Sequence, residues 1–119
     1  MMENFPRKEK YEMDKLHSLP ALLQIRRSYK GVSYLLASLE LALENEDLLL
    51  FPGQTIFPAV AKRYHVNLCC IERDIRTVID HCWHPESRQA LRNLAPYPLN
   101  RKPTVCEFLD ILYWYLLCG

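Results

Sequence analysis

Glycine is scarce in this chain, with three in 119 residues, and the scarcity removes several kinds of chemistry. A phosphate loop, a dinucleotide fingerprint and a nucleophile elbow all need closely spaced glycines where the backbone turns tightly or approaches a ligand. None of these motifs is present. The cysteines form no C-x-x-C pair, so the usual zinc spacings are missing as well. His65 with Cys69, and His81 with His84, have helical spacings that would place two ligands on one face. Cys69 and Cys70, however, point about 100° apart on a helix, and Cys82 falls in an apolar stripe. Cys69 lies near the start of a predicted helix, which would lower its pKa somewhat, yet no oxyanion turn accompanies it. No metal, no cofactor and no enzymatic activity are expected.

Long hydrophobic runs are also lacking. The longest, Ile111 to Cys118, is eight residues, against roughly 20 needed to span a bilayer. No membrane association is expected. The polar N-terminus, mixed in charge, does not resemble a signal peptide. Five cysteines, an odd number spread through helical patterns, read as reduced thiols and point to the cytoplasm. No stretch alternates as a strand would, and no repeat or second domain stands out. Half of the residues are apolar, enough for one real core.

Residues 1–17 hold few apolar side chains and a cluster of bases at Arg7, Lys8 and Lys10, and so read as a flexible lead-in. The domain is expected over 18–119. Ser18 and Pro20 look like the cap and early position of a short helix running to about Ile25, and Lys30-Gly31 looks like its end. Val32, Leu35, Leu36, Leu39 and Leu43 then form the inward stripe of a clear helix. Leu48 to Phe51 reads as a hydrophobic plug before the turn at Pro52-Gly53. Late in the chain, Glu86 to Leu94 is a short amphipathic helix, and Ala95 to Pro103, with three prolines, is a connector. Thr104 and Glu107 make a capping box for a last helix to about Cys118. That helix is apolar nearly all round, which suits either a core helix or a subunit interface at 108–117. Its place at the end of a small domain favours the interface. The fold class is therefore all-α, a compact six-helix bundle.

The central stretch, Ile56 to Trp83, reads as a short helix, a three-residue turn at His65-Val66-Asn67 and a longer helix. Ile71, Ile75, Val78, Ile79, Cys82 and Trp83 form a stripe of period 3.6. Cys69, Glu72, Arg73, Arg76 and Asp80 share the opposite face. Arginines on the outer face of a helix braced by a short partner suit a helix-turn-helix entering a major groove. The pattern alone suits an ordinary helical hairpin equally well. Charge distribution tilts the balance: residues 62–102 hold eight bases against four acids, whereas Glu40, Glu44, Glu46 and Asp47 cluster with no base among them. A basic side fits phosphate contact.

Several ordered blocks resemble a known family, the C-terminal DNA-binding effector domain of stage-zero sporulation protein A. They are Lys30-Gly31 with Tyr34-Leu35, Phe57-Pro58 with Ala61-Lys62, and Ile71-Glu72-Arg73 with Ile75-Arg76. Trp83 and Lys102-Pro103-Thr104 with Glu107-Phe108 complete the set. The resemblance implies a helical domain that reads double-stranded DNA with its fourth helix, 68–83, and regulates transcription as tandem dimers. It implies base contacts by Glu72, Arg73 and Arg76: the arginines are suited to fork onto guanine O6 and N7, and Glu72 to accept from cytosine N4. Lys62, Asn67, Cys69 and Lys102 are the expected backbone contacts. A homodimer, RNA polymerase as a further partner, and a nucleoid-associated place in the cytoplasm are part of the same expectation.

Three departures stand out. The receiver domain that normally precedes this module is absent from the 119 residues, so aspartyl phosphorylation is not the expected switch. Cys69, Cys70 and Thr77 stand where the family commonly has a small hydroxyl residue, an arginine and a histidine. The last helix is also more apolar than the family's. Together these admit an alternative, a receiverless interaction protein that pairs with a related regulator through that helix.

Overall fold

A computed structural model describes residues 4–118; residues 1–3 of the expected lead-in, and Gly119, lie outside the described residues. Among those described there are six α-helices: α1 (Asn4–Leu22), α2 (Lys30–Glu44), α3 (Ile56–Tyr64), α4 (Leu68–Cys82), α5 (Arg88–Leu94) and α6 (Val105–Cys118). A 3-10 turn, Glu46–Leu50, follows α2, and no strand occurs among the described residues. The expected all-α class and helix number hold.

Helix α2 is central because apolar and small residues surround more than one of its faces. Val32, Tyr34, Leu35, Ala37, Ser38, Leu39 and Ala42 are buried, while Leu36 and Leu43 of the expected stripe are only half-buried. Ala37, Ser38 and Ala42 are small enough for neighbouring helices to approach closely. Ser38, the one polar side chain in this set, donates to the Tyr34 carbonyl at 2.7 Å and so leaves no buried hydroxyl unpaired.

Gly31 is not a helix terminator as expected. It lies in the first turn of α2, where a Cβ would come within 2.2 Å of the Asp74 carbonyl oxygen and 2.7 Å of Val78 Cγ2. Glycine is there to let α2 touch the backbone of α4, and this contact fixes α4 in place.

The start of the chain also differs from expectation. Helix α1 begins at Asn4 rather than Ser18, so residues 4–17 are helical and Leu16 and Leu19 sit in the core. Ser18 does not cap a new helix; its hydroxyl bonds back to the Lys15 carbonyl at 2.7 Å. Pro20 lies near the end of α1, where a single lost backbone bond is tolerated. Gln24 then takes a left-handed conformation (φ 61°). Ile25 N–H donates to Pro20 O and Gln24 N–H to Ala21 O, closing the helix end. The sequence signal failed because one apolar residue per turn suffices when the other faces stay wet.

The predicted plug is half formed. Leu48 and Leu49 are half-buried, but Leu50 and Phe51 point outward, 71% and 63% exposed. At the other end the capping box is made in full: Thr104 N–H donates to Glu107 Oε1 (2.9 Å) and Glu107 N–H to Thr104 Oγ1 (3.2 Å). In α6, Val105, Phe108, Leu109, Ile111, Leu112, Tyr113 and Leu116 are buried in this chain's own core. The outward remainder includes Trp114 and Leu117.

Candidate nucleic-acid interface

The turn between α3 and α4 is built from backbone. His65 adopts the left-handed conformation (φ 58°, ψ 46°) at the end of α3. Its N–H bonds to Lys62 O, and Val66 N–H bonds back to Ala61 O at 3.0 Å. This pair of bonds normally favours glycine at the left-handed residue, because a Cβ there crowds the following carbonyl. Asn67 occupies the position before α4 with extended backbone, and its carbonyl accepts from Cys70 N–H at 3.0 Å. The expected side-chain cap is not made. The Asn67 amide is exposed and aimed at no helix N–H.

Burial orients α4. Ile71, Ile75, Val78, Ile79 and Cys82 are buried, matching the predicted stripe, with Trp83 half-buried just beyond. The opposite face carries Cys69, Arg73, Arg76, Thr77 and Asp80 exposed and Glu72 partly exposed. The predicted base-contacting set, Glu72, Arg73 and Arg76, thus lies on one accessible surface.

Each base of that surface is held by a carboxylate. Arg73 Nε donates to Asp74 Oδ1 at 3.2 Å, and Arg76 Nη2 lies 3.7 Å from Glu72 Oε1 one turn earlier. Lys102 reaches across from the connector before α6 to Asp80 Oδ1 at 2.6 Å. The two arginine side chains remain 68% and 67% exposed. Ion pairs this wet are worth about 0–1 kcal/mol each, so the guanidinium groups are free to exchange partners. A cleft of about 550 Å³ runs beside these groups, between α4 and the start of α6, with Glu72, Arg76, Asp80, Lys102 and Cys106 in its walls. Of the expected backbone contacts, Lys102 and Cys69 border the α4 surface. Lys62 is exposed in the last turn of α3.

The thiols are not poised for chemistry. Burial pushes the Cys82 thiol up to about 12. The Cys106 thiol is also raised, by burial and then by the nearby carboxylates of Asp110 and Glu72. Among the described residues no three His, Cys, Asp or Glu side chains converge as a metal site, and no helix is long and apolar enough to cross a membrane.

Two features of this end of the molecule escaped the sequence reading. Trp83 is flanked by the guanidinium groups of Arg88 and Arg92, 4.5 and 5.1 Å from its ring. Tyr29 stacks on His81 at 4.6 Å and 14°. The spacing of Trp83, Arg88 and Arg92 does not fit one helix, so only the break at His84–Ser87 could have hinted at the first. Nothing in the sequence joins Tyr29 to His81.

A short helix and a three-residue turn thus present a longer helix, apolar beneath and charged above, at the surface of an all-helical domain. That is the architecture of a domain that offers a helix to an external polyanion or protein. A family model described as sporulation initiation factor Spo0A C terminal matches residues 17–116, and the chain belongs to that family, one of DNA-binding effector domains.

Proposed function

We propose that this chain is a sequence-specific transcription regulator that inserts α4 into the major groove of duplex DNA. The observation that carries this is the outward face of α4, where Arg73 and Arg76 stand exposed one turn apart in weak, exchangeable ion pairs. In this reading Arg73 and Arg76 donate to guanine edges and Glu72 accepts from cytosine. Lys62, Asn67, Cys69 and Lys102 meet the phosphates, with Asn67 able to do so because its amide is not spent on capping. Cys69, Cys70 and Thr77 alter the groove surface, so the preferred site is this chain's own. Selection of bound fragments from a random DNA pool tests binding and returns that site. Arg76→Ala is expected to cost about 1–3 kcal/mol on it and to relax its sequence choice. Lys62→Ala weakens all duplexes alike. Fluorescence polarisation at low ionic strength showing no salt-dependent DNA binding would sink the proposal.

Association is a second element of the reading. Trp114 (53% exposed) and Leu117 (39%) lie one turn apart on the outer side of α6 and favour contact with a second copy or a related regulator. The rest of 108–117 is largely committed to this chain's own core, so any such interface is small and centred on those two side chains. Contact with RNA polymerase would follow from promoter binding. Light scattering of the purified chain, with a pull-down performed with and without nuclease, separates self-association from DNA-bridged association. A monomer that binds DNA alone contradicts the alternative of a regulator-pairing protein.

A further inference from the structure

The reading surface of α4 is close to electrically neutral, although it lies in the most basic part of the chain. Three bases face three acids: Arg73 with Asp74, Arg76 with Glu72, and Lys102 with Asp80. The third pair differs from the others. Its partners are 22 residues apart in sequence, it is the shortest of the three at 2.6 Å, and it ties the connector before α6 to the reading helix. Both side chains remain largely in water, 52% and 60% exposed, so the contact is not needed to satisfy a buried charge. This matching is not general to the molecule. Among the described residues Lys62 enters no ion pair, and Arg88 and Arg92 lean on the Trp83 ring with no carboxylate beside them.

A carboxylate oxygen bonded to an ammonium occupies the place that a phosphate oxygen would take. Before Lys102 can neutralise a DNA phosphate, Asp80 must release it, and the bare Asp80 carboxylate then faces the same polyanion. Both effects oppose binding to any duplex, whatever its sequence. A correct site compensates through base contacts by Arg73 and Arg76, and an incorrect site does not. Resting on the DNA-reading proposal above, we infer that Asp80 is a specificity-determining residue. Its carboxylate competes with the DNA backbone for Lys102 and so lowers affinity for duplexes in general while leaving discrimination to the base edges.

The test uses the full chain, with Asp80→Asn, Lys102→Ala and the double variant. Each is titrated against a random-sequence duplex and against the selected site over a series of salt concentrations. Melting temperatures confirm that the exposed substitutions leave the fold intact. The expected result is that Asp80→Asn binds the random duplex roughly three- to tenfold more tightly at low salt. Its log–log salt slope should steepen by about 0.9, the value for one additional phosphate contact, and the ratio of specific to random affinity should fall. In the Lys102→Ala background the same substitution should leave the slope unchanged. An unaltered slope and random-duplex affinity for Asp80→Asn overturns the inference while leaving the DNA-reading proposal standing. So does an equal gain in the Lys102→Ala background, which would show simple repulsion by Asp80. Failure of the parent and all variants to bind any duplex overturns both together.

Discussion

Helices α4 and α6 are nearly equal in length, 15 and 14 residues, and both lean on the α2 core, yet they serve opposite ends. Helix α4 buries one narrow stripe and turns its charged residues to solvent, where each is weakly paired. Helix α6 is apolar almost throughout and buries Phe108, Leu109, Ile111, Leu112 and their neighbours in the same core. Its strong bond network lies at its first turn, where Arg101 grips Glu107 through two oxygens at 3.0 and 2.8 Å. A helix that must meet a partner is held by half its surface and leaves the rest exchangeable. A helix that holds the fold together commits its side chains inward.

The sharpest way to break that contrast is to cut into α6. Phe108→Ala empties a fully buried position and should cost about 3–5 kcal/mol of stability. Trp114→Ala, on the outer side of the same helix, should change stability by about 0.5 kcal/mol or less. Urea denaturation of the two variants reads the difference directly. If Trp114→Ala proved as damaging as Phe108→Ala, the division of α6 into core and outer sides would be wrong.

Next in size is the seat of α4. Gly31→Ala drives a Cβ into the Asp74 backbone carbonyl, which cannot swing aside as a side chain would. It should cost about 1–3 kcal/mol. Because it pushes α4 outward, DNA affinity should fall more than the stability loss alone explains. Paired denaturation and polarisation measurements check this; unchanged stability would show that α2 and α4 are not in close register.

The smallest effect is electrostatic and belongs to α6 alone. The Arg101 guanidinium, with help from the Thr104 N–H, holds the Glu107 carboxyl at about 2, below its ordinary value of 4.5. A depressed carboxyl contributes stability above its ordinary pKa and loses it as pH falls through the depressed value. The contribution is therefore complete above about pH 4.5 and fades towards pH 2. Glu107→Gln should flatten the acid side of the stability profile in that window, modestly because the pair is exposed to solvent. Identical acid limbs for parent and variant would remove Glu107 from the account.

Much of this was legible in the sequence where local rules decide. The α4 stripe, the three-residue turn and the Thr104–Glu107 box depend on periodicity and capping over a few residues, and the structure reproduces them. The outward set Glu72, Arg73 and Arg76 followed from the same periodicity. Where long-range contact decides, local reading erred. Ser18-Pro20 resembled a helix start but lies inside α1, because Leu16 and Leu19 find a core that the sequence does not display. Gly31 resembled a helix end because glycine has two uses, and only the position of Asp74 tells them apart.

By itself the chain's residue order determined an all-helical domain, the boundaries of α4 and the face on which its arginines stand, since a 3.6-residue period fixes direction from apolar spacing alone. Tertiary structure alone decided that Asp80 meets Lys102, that Trp83 lies between Arg88 and Arg92, and that most of α6 faces inward. Those outcomes depend on which surfaces the folded chain brings within a few ångströms, and no periodicity along the sequence encodes a distance between residues 22 positions apart.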